Sequence, residues 1–189
     1  MAQKRKDWNG LISGFKASDL VFLDESGCNT DMTRRYAYSL GGSRAVDSAP
    51  LSKPKNTTIL SLIQLDGTLR YTTFSGGTTV ERFKRYLETD LLPHLNGNSV
   101  LIMDNMKSHH AKAVRNLLDS SGVRYIYLPP YSPDLNPIEK LWSKVKSFLR
   151  KFKARTLDAL PNAIQCAFQT VSPSDCSGWF HSCGYSPYF

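Results

Sequence analysis

Short runs of apolar and β-branched residues alternate with polar turns along the chain, and they predict five strands. These runs cover residues 19–24, 57–65, 69–74, 100–103 and 123–128. Asp66-Gly67, between the second and third runs, is a strong signal for a hairpin. The run at 100–103 is wholly apolar, which is typical of a strand buried on both faces. The first three strands are therefore predicted to form an antiparallel meander. The strands at 100–103 and 123–128 are predicted to extend the same sheet.

The spacing of apolar residues becomes helical after Thr78. Thr78 and Glu81 match the capping box of a helix start, and Pro93 and Gly97 bring that helix to its end. Further helices are predicted at 110–120, 137–153 and 157–170. The order β-β-β-α-β-α-β-α predicts an α/β fold, with one mixed five-stranded sheet and helices on both faces. Sites in open sheets of this kind lie at the carboxyl ends of the strands.

The remaining segments show no periodic pattern. Residues 1–18 form a polar, basic lead-in that we expect to be flexible. Residues 27–56 contain two glycines in a row and scattered prolines, and they are expected to be a loop or ribbon excursion. Residues 19–189 then form a single domain that ends in a helical segment.

Composition narrows the class of protein. The 189 residues include 24 Lys and Arg against 16 Asp and Glu, which gives a formal net charge of +8. With 41% hydrophobic residues the chain is expected to be globular, and its apolar runs are too short for a membrane span or a signal peptide. The positive charge favours a polyanionic partner, of which nucleic acid is the commonest.

The four cysteines form no Cys-x-x-Cys pair. Cys28 stands alone, whereas Cys166, Cys176 and Cys183 lie near the end of the chain, the last two with His181 between them. This spacing favours reduced, partly buried thiols of a cytoplasmic protein. A metal site that includes His181 is the alternative.

Three acidic residues lie where the predicted layout brings distant segments together. Asp24 ends the first strand, Asp104 ends the apolar strand, and Glu139 lies in the first turn of the long helix. If they converge, their mutual repulsion calls for cations, and Mg²⁺ is a hard cation that carboxylate and phosphate oxygens bind. Two such ions about 4 Å apart stabilise the attacking and leaving oxygens of a phosphoryl displacement.

Each of these acids also has a purely structural interpretation. Asp24 would simply end a strand, with Glu25 as a solvated neighbour on the opposite face. Asp104 would belong to the turn that follows its strand. Asn136 would be the N-cap of the long helix, and Glu139 would occupy the third position of an ordinary capped helix start.

Three stretches favour the functional interpretation. They are FLDESG at 22–27, LIMDNMKSHHA at 101–111 and LPPYSPDLNPIEKLWSKVK at 128–146. Together they resemble DDE transposases of the mariner-type superfamily, most closely the bacterial insertion-sequence branch. A separation of 34 residues between the second and third acids, as found here, is typical of that branch. The resemblance spans residues 18–185 and implies a ribonuclease H-like fold.

The resemblance also implies roles for individual residues. Asp24, Asp104 and Glu139 match the catalytic acids, which hold two Mg²⁺ ions for which Mn²⁺ substitutes. His109 matches a recurrent histidine that contacts the DNA phosphate or supports Asp104, with a plain helix-start histidine as the alternative. Asn105 is expected to shape the turn and support the site.

The long helix carries the basic residues that suit a DNA substrate. Seven Lys and Arg and no acid lie between residues 140 and 155. Lys140, Lys144 and Lys151 lie near one side of the predicted helix, where they would neutralise DNA phosphates. A solvated helix face is the alternative.

By this resemblance the chain cleaves DNA at transposon ends and joins the freed 3′-hydroxyl to target DNA at a TA dinucleotide. We expect it to act as a homodimer on DNA, in the cytoplasm and associated with the nucleoid. Complete relatives begin with helix-turn-helix modules, and the segment ahead of residue 19 is too short for one. The chain therefore resembles the catalytic half, with the helix-turn-helix product of a preceding reading frame as a partner. The alternatives are an inactive or regulatory DNA-binding remnant and a ribonuclease H-like host nuclease.

Overall fold

A computed structural model describes residues 2–34, 36–48, 50–51 and 54–185. The strands are β1 (Leu20–Cys28), β2 (Thr57–Ile63), β3 (Leu69–Ser75), β4 (Val100–Met103) and β5 (Arg124–Tyr127). The helices are α1 (Ala2–Ile12), α2 (Val80–Tyr86), α3 (Lys112–Ser121), α4 (Ile138–Phe152), α5 (Ala159–Gln169) and α6 (Pro173–Ser182). None of these helices in the described ranges is long and apolar enough to cross a membrane.

The strands form one mixed sheet in the order β3-β2-β1-β4-β5, which confirms the predicted five-stranded architecture. The pairs β1–β2 and β2–β3 are antiparallel, whereas β1–β4 and β4–β5 are parallel. The parallel ladder between β1 and β4 ends where Leu23 pairs with Met103. Asp24 and Asp104 are the next residues on each strand, so they lie side by side at the point where the two strands separate.

The prediction that Asp24 ends the first strand is wrong. The antiparallel ladder with β2 continues beyond Asp24, which pairs with Ser61, and reaches the pair of Cys28 and Thr57. Asp24 therefore lies inside β1, at the point from which this strand is paired with β2 but no longer with β4. Local sequence did not show this, because the partner that extends β1 comes from a separate segment.

The two faces of the sheet bury separate apolar cores. α1, α4, α5 and α6 cover the face that carries Phe22 and Ile102, and α2 and α3 cover the face that carries Leu23 and Met103. Successive side chains of a strand point to opposite faces, so residues two apart share a face. Asp24 therefore shares the face of Phe22, which packs against α4.

The expected flexible lead-in is instead helix α1, so that prediction is wrong for residues 2–12. Trp8 is 4% exposed, and its indole Nε1 donates to the hydroxyl of Tyr185 at 3.2 Å. Arg5 forms an ion pair with Asp134. One large aromatic side chain fixes an otherwise polar helix, and a single apolar position produces no periodic pattern in the sequence.

The excursion between β1 and β2 has no helix, and past Cys28 no strand, in its described residues, as predicted. Two contacts tie it to the region at the end of α4. Arg155 donates to the carbonyl oxygens of Thr30 and Met32 at 3.1 Å each, and Lys153 forms an ion pair with Asp47.

Helix α2 begins one residue later than the predicted capping box. The hydroxyl of Thr79 accepts from the backbone N–H of Arg82 at 3.3 Å. The hydroxyl of Thr78 is not free for this role, because it donates to the carboxylate of Glu25. The prediction of Thr78 as the capping residue is therefore wrong by one position.

Substitution of Trp8 tests the packing of α1. Trp8→Ala should lower the free energy of unfolding by about 3–5 kcal/mol, because it removes a buried indole ring. Urea denaturation measures this change. The control is Leu11→Ala on the same helix, where the side chain is 46% exposed and the loss should stay below about 1 kcal/mol. Equally small losses for both variants would contradict the packed position of α1.

Candidate active site

The three predicted acids line one cleft with a volume of about 710 Å³. Asp24 comes from β1, Asp104 directly follows β4, and Glu139 lies in the first turn of α4. The cleft opens at the carboxyl ends of the parallel strands, where sites of open α/β sheets are found. The fold thus brings together acids that are far apart in the sequence.

Asp24 is held by three N–H groups. The backbone N–H of Glu25 donates to Oδ1 at 2.7 Å. The indole Nε1 of Trp142 and the amide Nδ2 of Asn136 donate to Oδ2 at 3.2 and 3.4 Å. Asn136 therefore contacts Asp24 and makes no side-chain cap on α4, so its interpretation as an N-cap is wrong.

The environment of Asp24 opposes its ionisation. Burial is the main cause that raises the pKa of Asp24 to about 7, and the negative charges of Asp104 and Glu139 act in the same direction. The hydrogen bonds from the backbone and from Trp142 oppose this shift without cancelling it. A cation in the cleft would favour the ionised form.

Asp104 has the opposite electrostatic setting. Nδ1 of His109 lies 2.8 Å from its Oδ1, and the backbone N–H of Met106 donates to the same oxygen at 3.0 Å. Burial raises the pKa of Asp104, but the interactions with His109 and Met106 together outweigh it and hold this pKa below its usual value. Asp104 is therefore ionised across the neutral range.

His109 lies behind Asp104 and not on the surface. Its side chain is fully buried, and its ring stacks on Phe83 with centroids 4.2 Å apart. A buried ring does not contact a DNA phosphate. The structure thus separates the alternatives left by the sequence, because His109 contacts Asp104 directly.

Asn105 connects the turns that follow β4 and β5. Its amide Nδ2 donates to the carbonyl oxygen of Leu128, and its Oδ1 lies 3.3 Å from Nε2 of His110. The ring of His110 in turn stacks on Tyr127 at 4.0 Å. Asn105 therefore shapes the floor of the cleft beside Asp104.

Two further charged residues line the cleft, and neither was among the site residues predicted from the sequence. Glu25 is half-buried and accepts a hydrogen bond from Thr78, so its interpretation as a solvated acid is wrong, whereas the alternation of β1 places it on the face opposite to Asp24, as expected. Lys146 is the one basic residue among those that line this cleft. Lys146 follows Glu139 by seven residues, which is two helical turns. This spacing in the sequence indicates that the two side chains lie on the same side of α4.

The three lysines proposed from the sequence share a second groove of about 860 Å³ along α4. Lys140 and Lys151 are exposed there. Lys144 is half-buried, and its Nζ lies 2.6 Å from Oδ2 of Asp175, whose carboxylate also closes the capping box of α6 with Ser172. Lys144 is therefore already paired with an acid, whereas the sequence led us to expect that all three lysines are free to neutralise DNA phosphates.

The described part of the chain contains no group of three His, Cys, Asp or Glu side chains close enough to share one metal ion. This finding contradicts the alternative metal site of Cys176, His181 and Cys183, and all four cysteines are free thiols. The three acids of the cleft likewise do not form such a group on their own.

A family model described as DDE superfamily endonuclease matches residues 19–161. The chain belongs to this family. The matched residues include all the acids that line the cleft, which are Asp24, Glu25, Asp104 and Glu139.

Known proteins similar to this member of the DDE superfamily are longer than the chain. The Tc1 transposase of Caenorhabditis elegans is 29% identical over 97 residues, which are 49% of this chain and 36% of that protein. A structure of a pre-cleavage Mos1 transpososome is similar with a TM-score of 0.78 and 18% identity, covering 96% of this chain and 58% of that one. A mariner Mos1 paired-end complex with Mg has a TM-score of 0.72 and 18% identity, covering 95% and 57%. The ribonuclease H-like fold is thereby confirmed.

The burial of Asp24 predicts a pH-dependent stability of the metal-free protein. The folded protein binds this proton more tightly than the unfolded chain does, since the pKa of Asp24 is about 7 when folded and about 3.9 when unfolded. The stabilisation is therefore complete below pH 4 and is lost as the pH rises to 7.

Asp24→Asn should remove this dependence. Relative to the wild type, the variant should gain on the order of 3 kcal/mol between pH 4 and pH 8, as measured by urea unfolding in the presence of EDTA. A stability difference that stays constant over this range would show that Asp24 is not a buried carboxyl group of raised pKa.

Proposed function

We propose that the chain is the catalytic domain of a transposase that hydrolyses the phosphodiester bond at transposon ends and transfers the freed 3′-hydroxyl to target DNA. The observation that carries this proposal is the cleft of Asp24, Asp104 and Glu139 in a chain that belongs to the DDE superfamily endonucleases. Both steps displace an oxygen at phosphorus, so neither requires a nucleophile from the protein.

The carboxylates of Asp24, Asp104 and Glu139 would hold the metal, which is Mg²⁺ with Mn²⁺ as a substitute. Their hard oxygen atoms suit Mg²⁺, and a cation would offset both the burial of Asp24 and its repulsion by Asp104 and Glu139, which together raise its pKa. When bound, Mg²⁺ supplies a Lewis acid that activates water and stabilises charge on phosphate oxygens. The mariner Mos1 paired-end complex with Mg supports this assignment.

The two ions of the proposed site are those that the resemblance to DDE transposases implies. Mg²⁺ is typically bound through one or two carboxylates together with water and substrate phosphates. Pairs of acids, with Asp24 between Asp104 and Glu139, are therefore enough for two ions.

The chain's own residues orient these acids and attract the substrate. His109 holds Asp104, and Asn105 supports the turn that carries it. Lys146 places one positive charge on the wall of the cleft, where it suits a phosphate next to the reacting one. Lys140 and Lys151 would extend this contact along the groove beside α4.

The partners of the proposed enzyme are transposon-end DNA, a target with a TA dinucleotide, and a second copy of the chain. The Mos1 transpososome and paired-end complexes support DNA ends and their pairing. The separation of 34 residues between Asp104 and Glu139 supports the bacterial insertion-sequence branch. We also propose that the protein associates with the nucleoid and binds a helix-turn-helix protein encoded by a preceding reading frame.

A Mn²⁺ titration of the purified chain tests the metal site without DNA. Paramagnetic relaxation of water protons should show binding by the wild type and a loss of at least tenfold in affinity for Asp104→Asn. Thermal unfolding checks that the variant remains folded. Equal binding by the two proteins would remove Asp104 from the metal site.

Assays with transposon-end DNA then separate the three classes of function. The wild type should both nick and join DNA with Mg²⁺, whereas Asp104→Asn should do neither. Nicking without joining would indicate a host nuclease. DNA binding without either reaction would indicate an inactive remnant.

Lysine substitutions test the DNA surface. Lys146→Ala should weaken DNA binding and reduce the salt dependence of the affinity by a slope of about 1, measured by fluorescence anisotropy between low and moderate salt. Lys112→Ala is the control, since it lies on α3 across the sheet from α4. Identical salt slopes for Lys146→Ala and the wild type would exclude Lys146 from the interface.

A further inference from the structure

The segment that begins α4 presents three polar groups to the cleft at intervals of three residues. They are Asn136, Glu139 and Trp142, and all three line the cleft. Glu139 and Trp142 lie three residues apart on one side of α4, and Asn136 precedes the helix by two residues. Glu139 is therefore flanked along the chain by two residues that both donate to Oδ2 of Asp24.

These two hydrogen bonds fix α4 relative to β1. Trp142 and Asn136 lie 118 and 112 residues from Asp24 in the sequence, and each is less than 5% exposed. Because both bonds end on the same carboxylate oxygen, they set the rotation and the height of the helix over the strand. Glu139 lies between the two anchor points, so its distance to Asp24 is set as well.

Trp142 also packs in the apolar core, where its ring lies against Phe168 with centroids 6.5 Å apart. The packing of the ring needs only its apolar surface. The N–H is a separate feature, which a phenylalanine lacks. Ring packing and hydrogen bonding by Trp142 are therefore separable by substitution.

The amide oxygen of Asn136 has a different environment. The NH₂ group of Asn136 donates to Oδ2 of Asp24, so the amide Oδ1 points away from this carboxyl group. This Oδ1 is buried and has no hydrogen-bond partner among the described residues. A buried acceptor on the wall of a cleft of acids suits a water molecule of a hydrated cation, since Mg²⁺ retains several waters when it binds.

We propose that Asn136 and Trp142 are positioning residues of the metal site. Their N–H groups hold Oδ2 of Asp24, and Oδ1 of Asn136 accepts a hydrogen bond from a metal-bound water. This inference rests on the proposed metal-dependent function and names two residues through which that site is built. Neither residue contacts the reacting atoms.

The test compares Mn²⁺ binding by the purified full chain in five forms. These are the wild type, Asp104→Asn, Trp142→Phe, Asn136→Ala and Trp8→Phe. Trp8→Phe is the matched control, because it also keeps an aromatic ring and loses one N–H bond of a buried indole, here to Tyr185. Water-proton relaxation gives both the affinity and the enhancement per bound ion.

We expect Trp142→Phe and Asn136→Ala to bind Mn²⁺ at least tenfold more weakly than the wild type, whereas Trp8→Phe keeps the wild-type affinity. The enhancement per bound ion should fall in Asn136→Ala only, because Asn136 alone contacts a metal-bound water. These results together would support both parts of the inference.

Other results overturn it in distinguishable ways. If Asp104→Asn loses binding while Trp142→Phe and Asn136→Ala stay within twofold of the wild type, the positioning role is wrong and the proposed function stands. If Trp8→Phe is weakened as much as Trp142→Phe, general packing explains the effect. If the relaxation enhancement per bound ion is unchanged in Asn136→Ala, the proposed contact between Oδ1 of Asn136 and a metal-bound water is wrong.

A wild type that does not bind Mn²⁺ overturns the metal site and this inference together. Thermal unfolding checks each variant. If Trp142→Phe lacks a cooperative transition near that of the wild type, Asn136→Ala decides by the same affinity criterion.

Discussion

A carboxyl group buried inside a strand constrains everything that packs around it. Asp24 lies on the face of the sheet that α4 covers, in a row that also carries the apolar side chains of Leu20, Phe22 and Cys28. Burial of an ionisable group is unfavourable unless polar partners compensate it. The backbone of β1 supplies one donor, and the start of α4 supplies two more from Asn136 and Trp142. The helix is therefore positioned by hydrogen bonds to this carboxylate as well as by its apolar stripe.

Because β1 and β4 separate just before Asp24 and Asp104, the two carboxyl groups have different electrostatic environments. Beyond the pair of Leu23 and Met103, Asp24 remains in the sheet, whereas Asp104 turns towards His109. The pKa of Asp24 is raised to about 7, and that of Asp104 is lowered. Asp104 is thus ionised without a metal, and under the proposed function metal binding near neutral pH would be coupled to release of the Asp24 proton.

The sequence allowed prediction of the sheet and of the three acids, but not of the contacts that orient them. Strand and helix positions follow from local periodicity, which reports burial on a face. Trp142 lies in the core, yet periodicity could not show that its indole N–H reaches Asp24 across 118 residues. The same limit hid the pairing of Lys144 with Asp175. Helix α1 escaped prediction because a single residue, Trp8, fixes it.

Under the proposed function, the charges of the cleft would set the order in which metal and DNA bind. Four carboxyl groups line it against one lysine, Lys146. A DNA phosphate approaching these carboxylates is repelled, and Lys146 alone does not balance them. The exposed lysines of α4 lie in the neighbouring groove, where Lys144 is neutralised by Asp175. Under the proposed function, DNA would bind along that groove without metal, whereas its scissile phosphate would enter the cleft only after cations have neutralised the acids. The cleft and the groove, on two sides of α4, would thus separate DNA capture from reaction.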